Sequence, residues 1–265
     1  MPQIAAVRPP PAACQNVGVI ATAAKSARRA LVTGGSGDIG AAICRALAAH
    51  GHFVHVHAHG RSDRAQALAD EIRAGGGRAQ PLAFDLTDAG ATRAALDATG
   101  EAGPIELLVH NAGIRDDAPM AGMTEDQWRR VIDVSLHGFF HVTQPLLLPM
   151  ARGRFGRIVC VSSVAAQLGN RGQTNYAAAK SALHGAAKSL AREMGSRGIT
   201  VNVVAPGIVA AGMAAQAFSA EQIRDVVPAG RAGTPEEVAA LVAFLCGEDA
   251  GYVNGQVIGI NGGMI

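Results

Sequence analysis

The chain has 265 residues, 49% hydrophobic and 17% charged, which is apolar enough to bury a large core and too apolar for a disordered chain. A net charge of +2 with 4% aromatics leaves no electrostatic footprint for nucleic acid. Four cysteines (Cys14, Cys44, Cys160 and Cys246) without a CxxC pair argue against a zinc or disulfide framework, and no apolar run is long enough to cross a membrane.

In chain order, residues 1–26 read as a poorly ordered extension. Pro9-Pro10-Pro11 breaks regular structure, and the weak apolar stretch Val17–Ala24 is followed, not preceded, by Lys25, Arg28 and Arg29. That charge order is unlike a secretory signal, so reduced thiols and a cytoplasmic location are expected. From residue 27 to 265 short β-rich runs alternate with Ala-rich stretches of helical period. The predicted strands are Ala30–Thr33, Phe53–His57, Ala79–Phe84, Ile105–His110, Arg157–Ser162, Thr200–Val204 and Gln256–Ile260. Between them the periodicity predicts helices over Ile39–His50, Arg64–Ala74, Ala89–Thr99, Glu125–Met150, Tyr176–Arg197 and Pro235–Cys246. Thr124 through Gln127 reads as a capping box, and Thr234-Pro235-Glu236-Glu237 as a cap followed by a first-turn proline. This alternation implies an α/β fold: one Rossmann-type, doubly wound parallel sheet flanked by helices in a single domain. Pro206–Gly233 is a long Gly- and Ala-rich segment with a short helix at Ala220–Val227, a lid over a ligand.

The first strand runs into Thr33-Gly34-Gly35-Ser36-Gly37-Asp38-Ile39-Gly40 and then a helix. Glycines there permit a tight turn and close approach of backbone to a pyrophosphate, and the helix N-terminus offers free N–H groups. Gly34, Ser36, Gly37, Ile39 and Gly40 are therefore candidate phosphate contacts. The second strand ends His57-Ala58-His59-Gly60-Arg61-Ser62, with no acid before Asp63 to accept ribose hydroxyls. Arg61 and Ser62, with His59, suit a 2′-phosphate instead, which favours NADP(H) over NAD. His55, His57 and His59 share one strand face; a metal is conceivable there, but no carboxylate or thiol joins them, and no metal is assigned.

Tyr176 and Lys180 lie four residues apart, on one face of a helix. A phenol of ordinary pKa near 10 resists donating its proton at neutral pH, and a nearby ammonium favours the phenolate. Ser163, thirteen residues before Tyr176 and just after the fifth strand, can hydrogen-bond the same substrate oxygen.

The glycine loop and the ordered set Ser163, Tyr176 and Lys180 resemble those of short-chain dehydrogenases/reductases, with the similarity running over nearly all of 28–265. Gly34 and Gly40 match the first and last glycines of that family's TGxxxGxG loop, and Asp38 replaces the middle one. The resemblance implies that Asp85, with Leu86 beside it, contacts adenine, and that Asn111-Ala112-Gly113 lines the adenosine-ribose side. It implies that Pro206-Gly207-Ile208 closes on the cofactor, with Ala211 where relatives carry Thr. Ser135 stands where the family places an Asn that holds a relay water behind the lysine. Gly169–Tyr176, Ser196–Asn202 and Asn261-Gly262-Gly263 are similar to 3-oxoacyl-acyl-carrier-protein reductases in particular. Gly251-Tyr252-Val253 and Ile260–Met264 are similar to the aryl-polyene-pathway type. The resemblance further implies docking of an acidic carrier protein at Arg154 and Arg197 and a homo-oligomer, dimer or tetramer. Two alternatives stay open: a reductase of a free small ketone or alcohol, and, given Asp38, Ser135 and Ala211, a non-catalytic nucleotide-binding subunit of a hetero-oligomer.

Overall fold

A computed structural model describes residues 27–211 and 219–265; the predicted extension over 1–26, Cys14 and part of the predicted lid lie outside them. Seven strands form one sheet in the order β3-β2-β1-β4-β5-β6-β7, every neighbouring pair parallel. They are β1 (Arg29–Thr33), β2 (Phe53–Ala58), β3 (Arg78–Ala83), β4 (Leu107–His110), β5 (Gly156–Val161), β6 (Ile199–Pro206) and β7 (Val257–Ile260). The order reverses between β1 and β4, where a doubly wound sheet opens a crevice at its strand C-termini.

Alternation along the strands divides the core into two layers. Ala30 and Val32 of β1 face one side, with Val54, Val56, Leu107 and Val109; Leu31, Leu108 and Ile158 face the other. The first face is covered by α1 (Asp38–Ala49), α2 (Ser62–Ala74) and α9 (Pro235–Cys246), through Ile43, Leu47, Leu68 and Val242. The second is covered by α3 (Ala89–Gly100), α5 (Gly138–Gly153) and α7 (Thr174–Met194), through Leu96, Phe139, Val142 and Leu183. Burial on both faces explains why these strands read as continuous apolar runs, and each fully buried Leu or Ile contributes about 2 kcal/mol.

The cap readings hold in the structure. Thr124 and Gln127 cap α4 (Glu125–Ile132) reciprocally, and Thr234 and Glu237 do the same for α9 with Pro235 in its first turn. Ser219 and Gln222 cap the short α8 (Ala220–Val226). The predicted Glu125–Met150 helix is interrupted: α4 passes into a π-helical turn at Asp133–His137 before α5 begins. The predicted Tyr176–Arg197 helix ends at Met194 and tightens into a 3-10 turn, Gly195–Arg197. A short helix, α6 (Ala165–Leu168), follows β5.

Candidate active site

The crevice at the β1/β4 switch has a volume of about 660 Å³. Its floor is the turn leaving β1. Gly34 adopts φ +63, and a Cβ there would lie 3.1 Å from Ala112 Cα. A Cβ on Gly40 would run into the Gly34 carbonyl and sit 2.8 Å from Gly35 Cα. These two glycines therefore let helix α1 start directly against the turn, with its free N–H groups facing the crevice. Asp38 is the first residue of α1; it is exposed, makes no side-chain cap, and lines the crevice. A carboxylate in the first helical turn suits the helix dipole, which explains how the loop tolerates it.

The turn is interlocked with β4. Thr33 Oγ1 accepts from the backbone N–H groups of Asn111 and Ala112, each at 3.1 Å. Asn111 Nδ2 donates to the Thr33 and Gly34 carbonyls, each at 3.1 Å. On the other flank, Asp85 lies beyond the end of β3, with Oδ1 accepting from Thr87 N and Thr87 Oγ1 at 2.8 Å and pairing with His59 Nδ1 at 3.3 Å. These bonds hold its carboxyl below the ordinary value against the opposing effect of burial. Gly34, Ser36, Gly37, Ile39, Gly40, Arg61, Asp85, Leu86, Asn111, Ala112 and Gly113 all line the one crevice, as the sequence reading grouped them. Ser62 begins α2 beside it. Pro206-Gly207-Ile208 leaves β6 on the other side, where Pro206 O accepts from Val164 N at 2.7 Å.

Lys180, Ser135 and Tyr176 gather at the Gly113 end of this crevice. A Cβ on Gly113 would lie 2.8 Å from Lys180 Nζ and 3.4 Å from Ser135 Oγ, so a larger residue there would displace the lysine tip. Lys180 is 2% exposed; its Nζ donates to Val161 O at 2.9 Å and lies 5.9 Å from the centre of the Tyr176 ring. Burial brings its pKa down to about 8. The Tyr176 phenol is raised by burial; Ser163 and the Arg115 charge pull it down, and Asp117 adds to the rise. Lys180 does not figure among the influences on the phenol, so its lowering of the phenol's pKa is not seen in the protein alone. Ser163 Oγ also accepts from Ala165 N at 3.2 Å, which fixes it at the start of α6.

Ser135 is held by the π turn, in which one extra residue per turn swings its side chain inward. Its Oγ is buried with no hydrogen-bond partner. Sequence periodicity missed this turn, because the buried positions Val131, Ser135 and Phe139 stay four residues apart, as they also can in an α-helix. His57 and His110 were also missed: both are buried, and each bonds the β1 turn. The sequence signal was a histidine at the C-terminal end of each strand flanking β1. Neither ring of His55 or His57 is free: His55 lies 3.0 Å from Arg29 and 3.1 Å from Gln80, while His57 bonds Gly34 and Phe84. Among the described residues no group of three or more His, Cys, Asp or Glu is arranged to hold a metal ion.

Arg154 and Arg197 lie elsewhere. Arg154 caps α5 in the left-handed conformation and donates to Ser196 O at 3.2 Å. Both precede the N-terminal ends of β5 and β6, so they sit at the opposite end of the sheet from Tyr176.

A family model described as Enoyl-(Acyl carrier protein) reductase matches residues 35–265. The 3-oxoacyl-[acyl-carrier-protein] reductase of Aggregatibacter actinomycetemcomitans is 44% identical over 236 residues, covering 88% of this chain and 98% of the relative. The enzyme of that name from Escherichia coli is 41% identical over 239 residues, 89% and 96% of the two chains. The acetoacetyl-CoA reductase of Rhizobium meliloti is 42% identical over 239 residues, 89% and 98%. With the strand order and the turn at the β1/β4 switch, these matches establish that the chain belongs to the short-chain dehydrogenase/reductase family of oxidoreductases.

Proposed function

We propose that the protein reduces a 3-oxoacyl thioester, carried by an acyl carrier protein, to the 3-hydroxyacyl form with NADPH. The observation that carries this reading is the convergence of Tyr176, Lys180 and the unpartnered Ser135 hydroxyl beside Gly113, at one edge of a glycine-floored crevice. The glycine turn, the free α1 N-terminus and Asp85 suit a dinucleotide. Arg61, Ser62 and His59, with no acid among them, support the phosphorylated form. A nicotinamide held in this crevice would supply the hydride that C3 of the substrate receives. Tyr176 Oη gives its proton to the oxygen, and the C=O bond becomes C–OH. Ser163 orients that oxygen. Lys180 and a water on Ser135 Oγ return a proton to the tyrosine; an orphaned buried hydroxyl beside an ammonium is where such a water fits.

The printed names of the relatives support the substrate class, and keto reduction requires a proton donor at oxygen, which Tyr176 supplies. A second reading, a coenzyme A thioester as substrate, is favoured by the similarity to an acetoacetyl-CoA reductase. Arg154 and Arg197 support carrier docking. From there the thioester arm must span a strand's length, about 20 Å, or serve a partner subunit's crevice. Phe140 and Leu148, 61% and 65% exposed on α5, support a homo-oligomer. So does Tyr252, exposed shortly before β7. Buried, unpaired Cys44, Cys160 and Cys246 fit a cytoplasmic location; among the described residues no helix is long and apolar enough to cross a membrane.

The test follows NADPH oxidation by the purified chain with acetoacetyl-carrier protein and with acetoacetyl-CoA, at low and high salt. Faster, salt-sensitive turnover on the carrier form is expected. Equal, salt-insensitive rates support the coenzyme A reading, and no oxidation of NADPH with either sinks both.

A further inference from the structure

We propose that His57 and His110 form a matched pair of positioning residues that clamp the β1 turn from both sides, His57 for nucleotide binding and His110 for the proton relay. The inference rests on the nucleotide reading of the crevice.

β2 and β4 are the two neighbours of β1 in the sheet. His57 is the last residue but one of β2, and His110 the last of β4. Each ring is buried, at 1% and 0% exposure. Each directs one nitrogen inward to the turn and the other outward to a backbone carbonyl. His57 Nδ1 accepts from Gly34 N–H at 3.1 Å, and its Nε2–H donates to Phe84 O at 3.0 Å. His110 Nδ1 accepts from Thr33 Oγ1–H at 3.3 Å, and its Nε2–H donates to Ser135 O at 2.9 Å. An aromatic ring backs each, Phe84 at 4.2 Å and Phe139 at 5.6 Å.

The Thr33 hydroxyl already accepts two N–H bonds, from Asn111 and Ala112 just after β4, so its own proton is free for His110. A backbone N–H is always a donor, so Nδ1 of His57 must be bare. Both rings are thereby fixed as the Nε2–H tautomer, which only a neutral imidazole can adopt. Burial keeps them neutral. The ionisable groups that face His57 are Asp85 and the His59 ring, and those that face His110 are Lys180 and the neutral His57 ring.

The two outward bonds differ in purpose. Phe84 immediately precedes Asp85, on the adenine side. Ser135 carries the unpartnered relay hydroxyl. His57 therefore sets the shape of the phosphate turn before nucleotide arrives, because Gly34 N–H is held by the ring rather than left to the phosphates. His110 sets the height of the π turn, and through it the distance from Ser135 Oγ to Lys180. Such pre-organisation lowers the ordering needed on binding.

The test exploits the shapes of Asn and Gln. An Asn amide places its oxygen near Nδ1, and a Gln amide places its nitrogen near Nε2. NADPH affinity is read by fluorescence titration on the full chain, and kcat with acetoacetyl-CoA at saturating NADPH. His57→Asn is expected to stay within about threefold of wild type in NADPH Kd, and His57→Gln to weaken it at least tenfold, about 1.4 kcal/mol. At position 110 the pattern crosses: His110→Gln keeps kcat within about threefold, whereas His110→Asn lowers it at least tenfold with NADPH Kd unchanged. A purely structural role would move both variants of a pair together. Wild type that does not bind NADPH overturns the nucleotide reading. Wild type that binds, with His57→Asn and His57→Gln alike, overturns the pairing. Wild type that binds without reducing acetoacetyl-CoA removes the substrate reading and leaves the His57 comparison standing. Should a variant not fold, nitrogen-15 NMR of the wild-type rings decides: protonated Nε2 and bare Nδ1 on both at pH 7 is expected, and any other state of either ring overturns the inference.

Discussion

On the nucleotide side of the Thr33–Gly34 turn, the crevice is walled largely by backbone: glycine α-carbons, the N–H groups of α1 and the carbonyls that Asn111 ties together. On the other side, the contacts that matter belong to side chains: a lysine nearly fully buried, a serine hydroxyl without a partner and a half-buried tyrosine. Backbone presents the same groups whatever residue supplies it, provided the residue fits. Side chains do not. The nucleotide side therefore tolerates exposed departures such as Asp38 and resists those that fill space or remove a buried partner of the turn such as His57. The catalytic side resists changes of a single atom.

The largest expected effect lies on the catalytic side. Tyr176→Phe removes one hydroxyl and leaves the ring's packing. It should lower kcat on acetoacetyl-CoA at least ~10³-fold, within the range general acid catalysis supplies, with NADPH affinity and melting temperature held. A fall of less than tenfold in steady-state assays would assign proton donation to another group.

Acid attacks both sides together. Burial lowers His57 to about 4 and His110 to about 3; His55, beneath them in β2 and beside Arg29, falls to about 4. An unfolded histidine titrates near 6.5. Between these values the unfolded chain binds protons that the folded chain refuses. Stability is then intact above about pH 6.5 and falls as the pH drops toward 4. Each ring contributes up to ~3 kcal/mol of loss once the window is crossed. Urea midpoints at pH 7, 6, 5 and 4 measure this. His110→Gln, which cannot titrate, should reduce the slope by about one proton, and an unchanged slope would show that the ring is not held neutral.

The same contrast explains what the amino-acid sequence alone made legible. The glycine loop, the strand-end Asn111 and Asp85, and the order of Ser163, Tyr176 and Lys180 are local patterns. Each falls at a strand C-terminus, where a doubly wound sheet must gather it. The seven strands were legible because burial on both faces makes each a short apolar run. The break in the Glu125–Met150 helix was not. A π turn slips the pattern by one residue, but the buried positions across it, Val131, Ser135 and Phe139, stay four apart, a spacing an unbroken α-helix also allows. The roles of His57 and His110 were hidden for a related reason. Alternation along β2 shows which face a ring takes, but its partners Gly34, Phe84, Thr33 and Ser135 are set by sheet order and by the π turn. The distance of Arg154 and Arg197 from Tyr176 likewise follows from strand direction, not from motif spacing.

Gly40→Ala tests the space-filling limit of the nucleotide side. Its added Cβ meets backbone, the Gly34 carbonyl and Gly35 Cα, and backbone cannot rotate away as a side-chain tip can. The helix must shift from the turn, misplacing the N–H groups that face the phosphates. NADPH Kd should rise about 30-fold, ~2 kcal/mol, while Tyr176 and Lys180 keep their relation. A variant that binds NADPH like wild type would mean that phosphate contacts lie elsewhere in the crevice.

The smallest effect expected is at Asp38, and it sharpens the comparison most. Its carboxylate is exposed, bonded to no cap, and solvent screens it from ligand charge. Two influences oppose each other there. The carboxylate repels phosphates, but it also interacts favourably with the α1 dipole, by about 0.3–1 kcal/mol at an exposed position. Asp38→Gly removes both and adds glycine's backbone freedom. NADPH Kd should fall about threefold at low salt and be indistinguishable from wild type at high salt, with a slightly lower melting temperature. Asp38→Asn separates the two influences: it removes the charge without loosening the backbone, so its affinity gain should match that of the glycine variant while the melting temperature falls less. If instead Asn and Gly differ in affinity by more than tenfold, residue 38 contacts the nucleotide through its side chain, and the division between a backbone-built side and a side-chain-built side fails at this position.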